Sequence, residues 1–341
     1  MTAVHPPERT ARFPFPFATD SYRYSTDVEP ARRPVRTAAG TWGAGLLDVD
    51  AGYAAELALR REILAADPAR CQQLPHMRVA AWDALTTLLP ELAATLPGAT
   101  ALRVDGDRWS WRNELTGTST SFTVGDEDSL PGGPLALLGS QVQEDVVLLD
   151  QREGSLWADA GLVTFAADWS VGFDVGMRFL EVHGPVPRVH ETGVVQRAEQ
   201  FLLRLHPGQE YRRTNWSVTV DRRLDTATES RPAWGPARAA VVGDPALPDR
   251  LHLRVEVQHL IRLGVSNAIC FLVRTYLLSL RELAAVPEWR RRLAAVLAEL
   301  PDDMADYKGL TRLRGPAVAW LRDGTVPGAV PGHAGPPRRA R

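Results

Sequence analysis

The spacing of apolar residues changes twice along this chain of 341 residues, and that change constrains the fold more than any other feature of the sequence. Near the start, apolar side chains recur every three or four positions. This predicts helices over 50–65 and 78–89, with Pro90 ending the second. The spacing then falls towards two through the middle of the chain, which predicts strands. Helical spacing returns near Val286, with Pro287 at a permitted first-turn position.

Further segments between these helices follow the same two patterns. Strand patterns occupy 101–104, 108–112, 120–124, 161–166, 177–183, 251–257 and 268–276. Residues 135–149 have helical spacing, 201–220 begin as a helix and end as a strand, and 221–250 have the composition of a long loop. Strands and helices therefore do not alternate regularly, which disfavours a doubly wound parallel sheet and predicts an α+β fold.

Charge and cysteine content exclude several classes of protein. The net charge is −2, from 39 basic and 41 acidic residues, so neither a sequence-independent nucleic-acid binder nor a polybasic membrane-surface protein is expected. No apolar run is long enough to cross a bilayer and the first residues lack a signal-peptide pattern, so the cytoplasm is the expected location. Cys71 and Cys270 form no CxxC pair, which argues against a cysteine-based metal site or a disulfide scaffold. Nucleotide-phosphate motifs are also missing.

One histidine lies at a predicted strand end, in the segment EVHGPVP (181–187). Pro185 and Pro187 are expected to fix an extended chain after His183 and to hold its imidazole rigidly at a sheet edge. A fixed, neutral imidazole is what a haem iron or another metal requires. The other interpretation is a surface histidine ahead of a turn.

The predicted strand 251–257 alternates strictly between polar and apolar side chains. His252, Arg254 and Glu256 share one face, and the apolar residues share the other. The polar face is either exposed to solvent or forms the wall of a polar pocket. A neighbouring predicted strand carries Arg274 among apolar residues, where a charge needs a partner. We expect Glu256 to pair with it, and an anionic ligand is the other candidate.

Two further polar groups have more than one interpretation. Arg212 and Arg213, next to Asn215 and Trp216, could hold a carboxylate, or they could be solvated residues at the start of a strand. Residues 143–145, with two adjacent carboxylates, could bind a cation or act as acid and base, or they could belong to a solvated helix face.

Several segments taken in order resemble one known family. These are PLALLGSQVQEDVVLL (134–149), FLEVHGPVP (179–187), RLHPGQEYRRTNWSV (204–218), LRVEVQHLIRLG (253–264), CFLVRTY (270–276) and YKGL (307–310). In this order they resemble the haem-binding subunit of the haem-dependent oxidative N-demethylase. The similarity extends from about residue 13 to residue 322 and is strongest from 134 to 312.

The resemblance implies a PAS-like antiparallel sheet with N-terminal and C-terminal helical extensions. The expected organisation is an N-terminal arm with helices packing on the core (1–99), a PAS-like haem-binding core (100–280), C-terminal helices (281–322) and a disordered tail (323–341).

The resemblance also implies an activity. The family removes a methyl group oxidatively from a small methylated amine, using haem b and O₂, with electrons from NAD(P)H through a flavin and iron–sulfur partner protein. An amine-containing small molecule and a redox partner are therefore the expected partners, and self-association stays open. A haem-PAS sensor of gas or redox state, without turnover, and a haem-free binding protein are the alternatives.

Carried over residue by residue, the resemblance makes His183 the iron ligand. Arg213, Arg254 and Asn215 are the expected cofactor-binding residues, on propionates or as polar groups near the haem. Glu256 is expected to bind the ammonium form of the substrate or to relay protons.

Two positions depart from the family pattern beside this expected site. Where the family usually carries arginine and threonine, this chain carries Val257 and His259. His259 is therefore a second expected catalytic residue and the first candidate for altered substrate choice, which favours an amine larger than dimethylamine or another oxidation.

Overall fold

The computed structural model describes residues 8–324. Helices are α1 Glu8–Ala11, α2 Tyr53–Ala66, α3 Arg78–Thr95, α4 Gly133–Gly139, α5 Val171–Asp174, α6 Phe179–Val182, α7 Val189–Thr192, α8 Val194–Leu203, α9 Arg231–Ala240, α10 Leu247–Arg250, α11 Leu280–Ala284, α12 Pro287–Glu299, α13 Asp302–Tyr307 and α14 Arg314–Asp323. Strands are β1 Glu29–Pro30, β2 Val35–Arg36, β3 Thr41–Trp42, β4 Cys71–Gln73, β5 Thr100–Asp105, β6 Arg108–Asn113, β7 Thr118–Thr123, β8 Asp145–Arg152, β9 Ser155–Leu162, β10 Met177–Arg178, β11 Glu210–Val220, β12 Leu251–Arg262 and β13 Ile269–Ser279. Most of the tail predicted over 323–341 lies outside the described residues.

A large antiparallel sheet organises the molecule. Its strand order is β1-β11-β12-β13-β8-β9-β10, and β4 also pairs with β9. The long strands β11, β12 and β13 pair over nearly their whole lengths, so they form a continuous surface in the middle of the sheet. The α+β class predicted from the sequence is confirmed.

Helices and a second sheet cover the large sheet. β5, β6 and β7 pair with one another rather than with the large sheet, and they pack with α3 and α4 against one face through Trp111 and Phe122. The C-terminal helices α11 to α14 cover β12 and β13 near Leu253 and Leu278. Among the described residues, no helix is both long enough and apolar enough to span a membrane.

Several predicted elements have different bounds in the structure. The helix predicted to stop before Pro90 continues to Thr95, because Leu92 and its apolar neighbours are fully buried and their packing outweighs the hydrogen bond that proline removes. The helix predicted over 135–149 ends at Gly139, and β8 follows. Four consecutive apolar residues from Val146 are buried on both faces of the sheet. A continuous apolar run of this kind is compatible with both a helix and a strand.

Three further predictions are corrected. The strand predicted over 177–183 lasts only two residues before α6 begins. The strand predicted over 161–166 overlaps only the last residues of β9. The loop predicted over 221–250 contains α9 and α10, whose prolines lie largely in first-turn positions that helices accept.

The face of the sheet under α2 holds a buried ionic cluster. Arg274 pairs with Glu56 at 2.9 Å and with Asp50 at 3.0 Å, so the predicted Glu256–Arg274 pair is wrong. The register explains this: Arg274 lies opposite Val257, so it shares the face of Val257, whereas Glu256 points to the other face.

Residues 143–145 are buried rather than part of a solvated helix face, and Asp145 lies on the opposite face of the sheet from Arg274. Asp145 pairs with Arg60 at 3.0 Å, and the side-chain oxygen Oε1 of Gln143 accepts from the Asp50 N–H. Burial raises the pKa of Glu144 to about 7.

Candidate functional site

A cavity of about 1540 Å³ lies on the face of the large sheet opposite α2. Its floor is formed by β8, β9, β11, β12 and β13. Its walls come from the N-terminal residues 15–42, the helical segment 165–202, and α12 with α13. Segments from the whole length of the chain therefore meet around one space.

One wall of the cavity is apolar. Alternate residues of the strands supply it, because in each strand every second side chain points to the same face. Helices α6 and α8 complete it. Its members are Val147, Leu149, Ala158, Ala160, Phe179, Val182, Val195, Phe201, Phe271 and Val273. The small side chains of Ala158 and Ala160 leave open space above β9, which suits a flat apolar ligand.

The opposite end of the cavity is polar. Across β11 and β12, Arg213 is the register partner of Gln258 and Asn215 is the partner of Glu256. The Gln258 oxygen accepts from Arg213 Nη1 at 2.6 Å, and its amide nitrogen donates to Glu256 Oε2 at 3.0 Å. Asn215 Nδ2 lies 3.5 Å from the same oxygen. The carboxylate is thus held in one orientation by neighbours on both strands.

Arg254 supports this carboxylate from the buried side. Its Nε donates to Glu256 Oε1 at 3.1 Å, and its guanidinium also bonds the carbonyls of Leu224 and Phe165 and the hydroxyl of Thr275. The residue is fully buried, and it is not among the residues that line the cavity. The solvent-face interpretation of β12 is therefore wrong, since every residue from 251 to 262 is buried.

Arg212 and Arg213 point to opposite faces of the sheet. Arg212 is buried against the N-terminal segment, where it bonds Glu29 and the carbonyl oxygens of Ala31 and Gly43. The two guanidinium groups therefore cannot hold one ligand together. Burial lowers the pKa of Arg213, and the nearby Glu256 carboxylate opposes this effect.

His183 lines the cavity from the C-terminal end of α6, not from a strand end as predicted. A tight turn follows it instead of an extended chain, because the Val186 N–H bonds the His183 carbonyl. Its ring is fixed, since Nδ1 donates to the Phe179 carbonyl at 2.7 Å and the Phe179 ring packs 4.3 Å away.

The chemical state of His183 suits a metal ligand. A carbonyl oxygen only accepts hydrogen bonds, so Nδ1 carries the proton and Nε2 keeps its lone pair. Within residues 8–324 no hydrogen-bond partner is found for Nε2. Burial lowers the pKa of His183, and the positive charge of Arg213 adds to this, so the ring is neutral at neutral pH.

The sequence as a whole can now be compared with known families. A family model described as haem-dependent oxidative N-demethylase, alpha subunit-like, matches residues 38–318. The chain belongs to this family. The resemblance seen in the ordered segments is confirmed, and the family description implies a haem group and partner subunits.

In this member of the N-demethylase alpha-subunit-like family, the structure brings together four of the expected site residues. His183, Arg213, Asn215 and Glu256 all line the cavity. Arg254 does not line the cavity itself but bonds Glu256 and the carbonyl of Phe165, which both do.

His259 lies on the other face of the sheet. It alternates with Gln258 along β12, and it pairs in register with Arg212 and Leu272. Among the described residues neither ring nitrogen has a hydrogen-bond partner. Burial, with the charges of Arg212 and Arg32, lowers its pKa to about 3. This placement removes the geometric basis for an expected catalytic role and corrects the expectation that His259 flanks the pocket.

Three residues of the cavity were not singled out from the sequence. Tyr307 and Lys308 line its polar end, and Asp174 lines it near α5. Burial and, to a smaller extent, the charge of the neighbouring Glu229 together raise the pKa of Asp174 to about 6. Nothing in the local pattern marks Asp174 or Tyr307, but Lys308 carries a signal, because it is the only lysine in the sequence.

Proposed function

We propose that the large sheet is a PAS-like haem-binding core and that haem b occupies the cavity with His183 as its axial ligand. On this basis the chain oxidises a small amine by O₂-dependent N-demethylation, with electrons from an external NAD(P)H, flavin and iron–sulfur reductase. The observation that carries the proposal is His183 itself, a fixed, neutral imidazole with a free Nε2 on the wall of a large, half-apolar cavity.

The shape and lining of the cavity fit a haem group. Small-molecule pockets measure roughly 300–1,000 Å³, so about 1540 Å³ leaves room for a macrocycle and a small substrate beside it. The apolar wall over Ala158 and Ala160 suits the macrocycle. The guanidinium of Arg213 and the amide of Asn215 suit its carboxylate substituents.

Glu256 suits the amine. Its carboxylate lies in a largely dehydrated space, where attraction to an ammonium group is stronger than in water. Arg254, Gln258 and Asn215 hold the carboxylate in place, so the substrate nitrogen can be fixed without reorganising the site. The haem group, when bound, supplies the oxidation of the methyl carbon, and the protein supplies ligation, orientation and exclusion of water.

The ligand assignment is tested by His183→Ala. The matched control is His252→Ala, because His252 Nδ1 also bonds a backbone carbonyl, that of Arg250 at 2.9 Å, but the residue lies outside the cavity. We expect the first variant to lose haem content and the Soret band after purification, and the control to keep both. Equal haem content and an unchanged ferric spectrum in the His183 variant would contradict the assignment.

The activity is tested by supplying electrons from a surrogate reductase under air with a panel of methylated amines. Formaldehyde and the demethylated amine are the expected products, measured by mass spectrometry. Haem binding without any product would favour the sensor, and absence of haem would favour the haem-free binding protein.

A further inference from the structure

Lys308 is the only lysine of the chain, beside 38 arginines. Almost every cationic position is therefore filled by a side chain that keeps its proton under all ordinary conditions. The one side chain among the lysine and arginine residues that can readily lose its proton, Lys308, lines the polar end of the cavity and is buried. A buried arginine could supply the charge at this position but not the exchangeable proton.

The position of the Lys308 amine is well defined. It follows α13 directly, and its backbone is held by the Met304 carbonyl and by Arg238, which donates to the Lys308 carbonyl at 2.9 Å. Nζ donates to the Trp216 carbonyl at 2.6 Å and lies 4.5 Å from the centre of the Trp216 ring. These contacts leave donor capacity on the ammonium group, which has three N–H bonds.

Charged and titratable groups surround this amine from three elements. Arg213 on β11 repels its positive charge, Glu256 on β12 attracts it, and Tyr307 precedes it on α13. Burial and, to a smaller extent, the charge of Arg213 together lower the pKa of Lys308 to about 8, although Glu256 opposes both effects. A substantial share of the side chains is therefore neutral just above neutral pH.

We propose that Lys308 is the proton-exchanging residue of the cavity and donates a proton to the reaction there. This inference rests on the proposed function. Oxidative removal of one methyl group consumes O₂, two electrons and two protons, and releases the demethylated amine, formaldehyde and water. The external reductase supplies the electrons. The ammonium of Lys308 supplies one proton, becomes the neutral amine, and regains a proton from solvent.

The first test measures the titration of Lys308 directly. Because the chain has one lysine, metabolic labelling with ¹³C-lysine gives one side-chain signal by NMR in the full-length haem protein, reduced under carbon monoxide to remove paramagnetism. Arg103→Lys adds an exposed lysine on β5 as an internal reference with an ordinary pKa of about 10.4. We expect Lys308 to titrate about two units below this reference, and coincident titrations would overturn the proposal.

The second test separates proton exchange from charge and packing. Lys308→Arg keeps the cation and Lys308→Met keeps most of the volume, and both remove the exchangeable proton. We expect haem content to be retained and turnover to fall about 10²- to 10⁴-fold in both variants. In the wild-type protein turnover should fall as the pH rises through about 8, where Lys308 loses its proton, and this fall should be missing in both variants. Undiminished turnover with an unchanged pH profile in Lys308→Arg would overturn the proposal.

The two proposals fail in distinguishable ways. If the wild-type protein forms no formaldehyde, the proposed function fails, and the NMR midpoint still decides whether Lys308 exchanges protons in this cavity. If formaldehyde forms at the same rate in the Lys308 variants, the proposed function stands and the assignment to Lys308 is wrong.

Discussion

At the scale of single residues, Glu256 places a carboxylate at the polar end of the cavity. The register of β11 and β12 surrounds it with Asn215, Gln258 and Arg254, which together use both carboxylate oxygens. These three contacts leave acceptor capacity on the carboxylate, and Glu256 lines the cavity, so it can still bind a cationic group from that side.

Glu256→Gln should weaken substrate binding without removing the haem. Loss of a charge-assisted contact of ~1.5–3 kcal/mol corresponds to an increase of about 10- to 100-fold in the dissociation constant of a methylated amine. The measurement is titration of the haem spectrum with the amine. Glu199→Gln is the control, since Glu199 is also a buried carboxylate but bonds the Leu156 N–H away from the cavity. Unchanged affinity in Glu256→Gln would exclude this role.

His259→Thr should leave the substrate preference unchanged. The substitution introduces the family's threonine at a position that the structure places on the other face of β12 from Glu256 and Gln258. Relative rates across a panel of amines measure the preference. A shift comparable to that of Glu256→Gln would mean that the two faces are coupled and would contradict this expectation.

At the scale of elements, Arg274 on β13 forms ion pairs with Glu56 on α2 and with Asp50, which precedes that helix. Glu56→Ala leaves the buried guanidinium with Asp50 alone, and loss of a partner from a buried pair costs about 3–5 kcal/mol. Urea unfolding measures the free energy. Glu62→Ala, an exposed change of the same kind on the same helix, should cost far less. Equal losses of unfolding free energy in the two variants would show that the Glu56–Arg274 pair contributes little to stability.

The residue before β8 adds a dependence on pH. Burial raises the pKa of Glu144 to about 7 from an ordinary value of 4.5, so the folded chain keeps a proton that the unfolded chain releases between these values. This contribution to stability is complete below pH 4.5 and is lost as the pH rises to about 7. Glu144→Gln should therefore gain about 3 kcal/mol relative to the wild-type chain between pH 4 and pH 8. If the free energies of unfolding of the variant and the wild-type chain change with pH in parallel, the raised pKa of Glu144 is wrong.

The long elements were predictable because their apolar periods are clear. β12, β13, α2 and α12 lie where the patterns place them. Residues 135–149 were not predictable, since a strand buried on both faces has no alternation to show. The sequence marked His183 as a candidate ligand, but its position at a helix end was not predictable, because that helix is a single turn too short to show a period.

Only part of the candidate site could be predicted from the sequence, because its residues come together through contacts that are distant along the chain. Glu256 and Arg213 follow from strand alternation, but which face is covered depends on segments far away in sequence. Without the register, His259 and Gln258 look equivalent. Lys308 was visible in the composition, yet its burial depends on Trp216, which is remote along the chain.

At the scale of the whole molecule, the N-terminal segment completes the cavity. β1 pairs with β11, and residues 15–42 supply one wall. Phe15 stacks on Trp289 with ring centres 4.8 Å apart, and Phe17 meets Trp216 edge-on at 5.1 Å. Much of this wall lies before residue 38, where the family match begins.

These contacts have a consequence for biosynthesis. Phe15 is made early, but its stacking partner Trp289 is made roughly 270 residues later, about 14 to 55 s at ~5–20 residues per second. This contact, and the part of the cavity wall that it fixes, therefore cannot form until synthesis has passed residue 289.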